Sequence, residues 1–470
     1  MTNAPQIWRL VDENADDLIA LSDRVWGMPE TCYKEFQSVA EHTQELRRQG
    51  FRVTENVADI QTAVIGEAGE GGPVIAFLGE YDALPDLSQQ AGVAEQRAME
   101  AGGNGHGCGH NLLGSAAMLA AVAVRDWLKE KGLPGRVRYY GCPAEEGGAA
   151  KTFMVRAGAF EDVDIAITWH PHSICDVARA DSLANARIDF TFRGKASHAS
   201  ASPHLGRSAL DAVELMNVGV NYLREHIPTD ARVHYALIDA GGIAPNVVQA
   251  NATVRYLIRS PDLPGLFPLI ERVKKVARGA AMMTETTMTE ETLSAVSNLM
   301  PNTPLEVAMR RHLEVLGPPI FDAGDRAFAA EIRKTLGEEE VRHALWLFGL
   351  ADSIETPLCD SLVPLESVRQ GAGGSTDVGD VSWVVPTVQM WGANYAIGTP
   401  FHSWQMVAQG KSPAAHKGMV HAAKVMAAVG QQALSDPALI ADAKRDLARR
   451  TAATPYVCPL PRETMPPLEM

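Results

Sequence analysis

The chain has 470 residues, 46% of them hydrophobic and 21% charged, with a formal net charge of -15. That length exceeds what one simple core organises, so two domains are expected, in a composition ordinary for a soluble globular enzyme. The negative charge argues against nucleic acid or an anionic membrane surface as partner. No apolar run is long enough for a transmembrane helix, and the first ten residues lack the basic and apolar regions of a secretory signal. The six cysteines, Cys32, Cys108, Cys142, Cys175, Cys359 and Cys458, are too sparse for a disulfide framework. They fit a reducing, cytoplasmic setting in which Cys108 is free to ligate.

Apolar residues at helical spacing predict helices over 8–26 and 36–46, the second stopped by Gly50. Strand-like runs follow at 51–57 and 62–65. Residues 73–79 form a continuous apolar run, as a buried parallel strand would, and it ends at Glu80-Tyr81-Asp82. The stretch Gly103-Asn104-Gly105-His106-Gly107-Cys108-Gly109-His110-Asn111 then precedes a small-residue helix over 112–130. A strand over 136–142 ends at Pro143-Ala144-Glu145-Glu146. A helix over 151–157 leads to a strand over 165–168, ending at Trp169-His170-Pro171-His172. Strand, polar loop and helix alternate, which predicts an α/β domain whose reactive residues gather at the carboxyl ends of its strands. Asp82, Glu145, Glu146 and His170 each fall just past a predicted strand.

Near Ser182 the rhythm changes. Strands are predicted at 186–193, 233–238, 247–258 and 284–297, with helices at 208–226 and 263–277. The order βαββαβ suggests an inserted open-faced sandwich over roughly 184–298, leaving 1–183 and 299–470 as the other domain. Helical pattern resumes at Pro301, a further strand is expected over 384–391, and the proline-rich tail from Ala452 reads as packed coil.

Singly, each conspicuous residue has an ordinary reading: a glycine-loop histidine serves structure, Glu145-Glu146 is a solvated pair, and His170 is a core histidine. Together, Cys108, His110, Glu146, His170 and His402 are donors of the kinds that bind zinc or manganese. Of the neighbouring carboxylates, one can ligate while the other activates water, which is what metal-assisted amide hydrolysis needs.

Six stretches, in order, resemble a known family: Glu80-Tyr81-Asp82-Ala83-Leu84-Pro85, Gly107-Cys108-Gly109-His110, Pro143-Ala144-Glu145-Glu146-Gly147, Gly194-Lys195-Ala196-Ser197-His198-Ala199, Asn246-Val247-Val248 and Phe401-His402-Ser403. The chain resembles the metal-dependent aminoacylase and carboxypeptidase group over nearly its whole length. The match is closest to the amidohydrolase branch that includes p-aminobenzoyl-glutamate, auxin-conjugate and hippurate hydrolases.

The resemblance implies a dinuclear site of zinc or manganese in which Cys108 bridges two ions, His110 and His170 complete one shell, and Glu146 and His402 hold the other ion. It implies Glu145 as general base and later acid, Asp82 as the carboxylate that orients a ligand histidine, and His198 as an oxyanion stabiliser reaching the partner subunit's site. A homodimer through the inserted domain follows, with a hetero-oligomer containing a homologous chain also open. Asn246 and Arg259 would grip the substrate, Arg259 as a bidentate clamp on a carboxylate. Arg255 shares its strand face with Arg259, and either has the commoner reading of a surface ion-pair partner. His172 competes with His170 as ligand; His106 and His204 read as loop or lid residues. Glu80 stands where many relatives place a metal-binding histidine. Gln249 replaces the proline usual after Asn-Val-Val. Gly373 to Asp380 matches the p-aminobenzoyl-glutamate hydrolase branch, its polar residues either lining the site or capping a helix at Ser375.

The implied activity is hydrolysis of an N-acyl or N-aroyl amino acid. The alternatives are a dipeptidase, an auxin-conjugate hydrolase, or a binding protein that keeps the fold without the chemistry.

Overall fold

The computed structural model describes residues 4–350, 355–365 and 373–469. Its first part runs α1 (Ala4–Trp26), α2 (Phe36–Arg48), β1 (Arg52–Glu55), β2 (Val64–Glu70), β3 (Val74–Glu80), α3 (His110–Lys131), β4 (Gly135–Cys142), α4 (Ala150–Arg156), β5 (Ile165–His172) and β6 (Asp176–Val177). Next come β7 (Ala184–Arg193), α5 (Ala209–Leu223), β8 (Arg232–Asp239), β9 (Asn251–Ser260), α6 (Leu263–Thr284) and β10 (Thr287–Val296). The chain then continues through α7 (Thr303–Leu316), α8 (Ala323–Arg333), α9 (Glu338–Leu347), α10 (Val378–Val384), β11 (Thr387–Ala393), α11 (Trp404–Gln409), α12 (Pro413–Ser435) and α13 (Pro437–Thr451).

Two sheets result. The seven-stranded one has the order β1-β2-β4-β3-β5-β11-β6, with β4, β3, β5 and β11 mutually parallel and the rims antiparallel. Strand β3 lies at its centre, and Val74, Ile75, Phe77 and Leu78 are wholly buried. Each such side chain contributes about 1.5–3 kcal/mol relative to exposure, which is why the apolar run takes an interior position. The four-stranded sheet, β10-β7-β9-β8, is antiparallel throughout and backed by α5 and α6. Alternating burial along β7 and β9 reflects one face on those helices and one face outward.

Helix α3 packs against α1, α12 and β3. Its alanines at 116, 117, 120, 121 and 123 are wholly buried, and small side chains let the helix approach closely. Closest is Gly114, where an added Cβ would fall 2.5 Å from the Glu80 carbonyl oxygen. This approach sets the start of α3, and with it His110, against the carboxyl end of β3.

One boundary differs in a way that matters. Strand β5 runs through His172, so His170 lies inside a strand rather than beyond it. Pairing in register with β11, Trp391 opposite His170 and Ala393 opposite His172, extends the ladder past the apolar run.

Candidate metal centre and catalytic carboxylates

The glycine-rich stretch folds as a tight entry to α3. Gly109 holds φ at 78° and an added Cβ there would meet the Tyr395 hydroxyl at 2.2 Å, so both conformation and space require glycine. Cys108 and His110 flank it, and the Gly107 carbonyl accepts from the backbone of His402 at 2.9 Å. That bond ties the loop before α11 to the loop before α3. His402 takes a positive φ of 57°, an uncommon conformation for a non-glycine residue.

The five sequence-proposed ligands converge. Donor atoms of Cys108, His110 and His170 lie within 4.8 Å of one another, as do those of Cys108, Glu146 and His402. Cys108 belongs to both groups. A third group joins Glu80, His110 and Glu145.

Asp82 organises the centre. Its Oδ1 accepts from His110 Nδ1 at 2.9 Å and its Oδ2 from the Glu146 backbone N–H at 2.9 Å. His170 Nδ1 donates to the Pro171 carbonyl at 3.1 Å. With both Nδ1 atoms engaged, each imidazole presents Nε2 to the centre.

The donors satisfy one another only in part: Cys108 Sγ contacts His170 Nε2 at 3.4 Å, but other atoms are left over. His110 Nε2 lies 3.2 Å from Glu80 Oε2, yet both atoms are buried without a hydrogen-bond partner, as is Glu146 Oε1. His402 Nε2 lies 3.3 Å from Glu146 Oε2. Lone pairs facing lone pairs in a buried site are costly, and a cation among them, a proton on His110 Nε2 or a dication, removes that cost. The thiol, imidazole and carboxylate set fits zinc or manganese.

The electrostatics point the same way. Burial raises the Cys108 thiol and the neighbouring Glu146 raises it further, so the thiolate needs a cation. Burial opposes a charge on His110, but Asp82 and Cys108 outweigh it and raise its proton affinity. Burial, then Glu80 and Glu146, push the Glu145 carboxyl well above its ordinary value. A carboxyl raised in this way takes up a proton more readily than an ordinary glutamate, as a general base must.

A cavity of about 430 Å³ opens beside these groups, lined among others by Cys108, Glu145, Glu146, His170 and His402. Arg259 lines it too, its Nη1 donating to Ser375 Oγ at 2.8 Å. Ser375 therefore faces the cavity; α10 is preceded by Asp377 instead, so the helix-cap reading of Ser375 does not hold. Arg255 takes the ion-pair role, bonding Asp189 at 2.7 and 2.9 Å.

His198 and Asn246 lie elsewhere in the chain. Both are exposed, residues 198 and 247 form an isolated bridge, and neither lines the cavity. His106 is buried with Nε2 on the Val25 carbonyl at 3.0 Å, a structural position, and His204 is exposed in a short 3-10 turn.

A family model described as peptidase family M20/M25/M40 matches residues 76–405, a span that includes every converging group. The chain belongs to this family. It is 45% identical to a p-aminobenzoyl-glutamate hydrolase subunit of Escherichia coli (strain K12), over 98% of this chain and 99% of that one. It is 29% identical to Xaa-Arg dipeptidase of Mus musculus, over 93% and 90%. The crystal structure of aminobenzoyl-glutamate utilization protein from Klebsiella pneumoniae shares the fold, with a TM-score of 0.60 at 17% identity, over 92% of this chain and 99% of that one. The chain is thus a metallo-amidohydrolase of the M20 group.

Within this M20 site, the sequence reading passes over a buried triad. Lys151 Nζ donates to Glu80 Oε1 and Asp377 Oδ1, each at 2.6 Å, and the lysine has no exposed surface. The signal available was a lone lysine followed by Phe153, Met154 and Val155 on a short helix, a pattern that reads as an ordinary surface charge. The triad turns Glu80 so that its second oxygen faces His110.

Proposed function

We propose that the chain hydrolyses the amide of an N-aroyl amino acid with a free carboxylate, p-aminobenzoyl-glutamate being the specific substrate, with two zinc or manganese ions. The observation that carries this reading is Cys108 shared between two donor groups while Glu145 stands beside them at the cavity wall. The E. coli relative's name supports the substrate.

Cys108, His110, Glu146, His170 and His402 would hold the ions, which when bound lower the pKa of water and polarise the scissile carbonyl. Glu145 accepts the proton of the attacking water and delivers it to the departing amine. Asp82 keeps His110 in the tautomer that presents Nε2. Arg259, steadied by Ser375, takes the substrate carboxylate; Asn246, outside this chain's own cavity, would contact substrate only from a partner protomer.

Residues 184–298 would act as an inserted lid and dimerisation domain on the catalytic unit of 1–183 and 299–470. Strand β8 is a sheet edge, and Tyr235, Leu237 and Ile238 on it, with Ile243 beyond it, are exposed. An edge of this kind favours pairing with a second chain. In a homodimer His198 of one protomer would stabilise the oxyanion in the other, in keeping with its absence from its own cavity. His198→Ala is expected to lose activity, and mixing it with Glu145→Ala should restore part of it in heterodimers. Mixed dimers with no recovered activity would refute action in trans. That the E. coli relative is named as one subunit of a hydrolase also supports assembly with a homologous chain. Six free thiols support a reducing cytoplasmic setting.

The direct test is a hydrolysis screen of zinc- and manganese-loaded protein against p-aminobenzoyl-glutamate, indole-3-acetyl-aspartate and Xaa-Arg dipeptides. The highest kcat/KM is expected for p-aminobenzoyl-glutamate. A preference for Xaa-Arg would favour the dipeptidase reading, supported by the mouse relative, and no cleavage of any amide would overturn the proposal.

A further inference from the structure

A second cavity, of about 320 Å³, adjoins the first. Four aromatic rings meet in it. The His172 ring centroid lies 5.0 Å from that of Trp391 and 5.1 Å from each of Phe348 and Phe401. The β5 ladder explains this placement: side chains two apart share a face, so His170 points to the ligand cluster while His172, one step further, lines the neighbouring hollow.

The two cavities adjoin and share lining residues. Trp391 and Phe401 line both, and their rings lie 5.7 and 5.6 Å from that of His170. The C-terminal part of α9, through Ala344 and Leu347, closes the other side. On the first cavity, Arg259 and Ser375 supply the polar groups suited to a carboxylate. A flat ring would find stacked and edge-on partners in the second cavity, with its attached carbonyl directed toward Glu145 and the donor cluster.

We propose that the hollow bounded by His172, Phe348, Trp391 and Phe401 is the subsite for the aromatic acyl group, and that it makes the enzyme select aroyl over short alkanoyl amides. This rests on the amidohydrolase reading of the same site, and it adds the orientation of the substrate: carboxylate at Arg259, ring beyond Trp391.

The test compares benzoyl-glutamate with acetyl-glutamate, which share the leaving amino acid, on the metal-loaded full-length protein. Ala344→Trp fills the hollow from α9 without touching the ligand cluster. It is expected to lower kcat/KM for benzoyl-glutamate by about 10-fold or more, mainly through KM, with acetyl-glutamate changed by less than about 2-fold. Phe348→Ala removes one ring and should raise KM for benzoyl-glutamate alone, covering the event that Ala344→Trp fails to fold. Benzamide binding, followed by ligand-detected NMR, reads the hollow without turnover: wild type should bind and Ala344→Trp should not. If neither amide is cleaved but benzamide shows this pattern, the subsite stands while the activity reading falls. Unchanged aroyl preference and unchanged benzamide binding in both variants would overturn the subsite.

Discussion

Glu145→Ala is expected to lower kcat for p-aminobenzoyl-glutamate by about 10²–10⁴-fold, the range for removing a positioned general acid–base, while the protein keeps its metal. The basis is the separation of roles between two adjacent carboxylates. Glu146 faces His402 and Cys108 and has an unpartnered oxygen at the centre, so it suits a ligand. Glu145 stands 4.0 Å from His110 Nε2 at the cavity wall, where its raised proton affinity suits transfer. Glu146→Ala, by contrast, should lose metal as well as activity. Equal metal content and near-normal turnover in Glu145→Ala would reassign the base.

Lys151→Ala is expected to cost about 3–5 kcal/mol of stability, because it leaves the Glu80 and Asp377 carboxylates buried without their counter-ion. Both carboxylates that Lys151 contacts have almost no solvent exposure, so water cannot replace the ammonium. Burial disfavours the lysine's charge, but Asp377 and Glu80 outweigh it and hold the proton firmly. Urea unfolding measures the loss. Neutralising the whole set, Lys151→Met with Glu80→Gln and Asp377→Asn, should recover much of it, since no uncompensated charge remains. A loss below about 1 kcal/mol for Lys151→Ala would mean that the site relaxes around the missing ammonium.

Much of this was legible in the sequence because local chemistry and local geometry agree. The strict alternation over 186–193 announces a half-buried strand, observed as Ala184–Arg193, and the βαββαβ order expected over roughly 184–298 follows from such patterns alone. Cys108, His110, Glu145 and Glu146 stand at chain turns next to buried strands, so their spacing survives folding. His170 stands out because it directly follows the predicted strand over 165–168, but the Trp169-His170-Pro171-His172 run hides a ladder sustained by β11 pairing, and the strand continues to His172. Lys151 escaped because a buried charge is recognisable only with its partners, and Glu80 and Asp377 come from distant parts of the chain. The aromatic hollow escaped for the same reason: residues 172, 348, 391 and 401 come from β5, the end of α9, β11 and the turn before α11, and no single stretch contains the pattern. His198 is conspicuous in the stretch 194–199, but it is exposed and lines no part of the cavity in this chain.

The central claim is a two-ion centre bridged by Cys108, and metal analysis of the dialysed protein tests it most directly. Wild type and Glu145→Ala should each retain about two zinc or manganese ions per chain, and Cys108→Ala should lose bound metal. A single ion per chain, or two ions held equally well by Cys108→Ala, would contradict it.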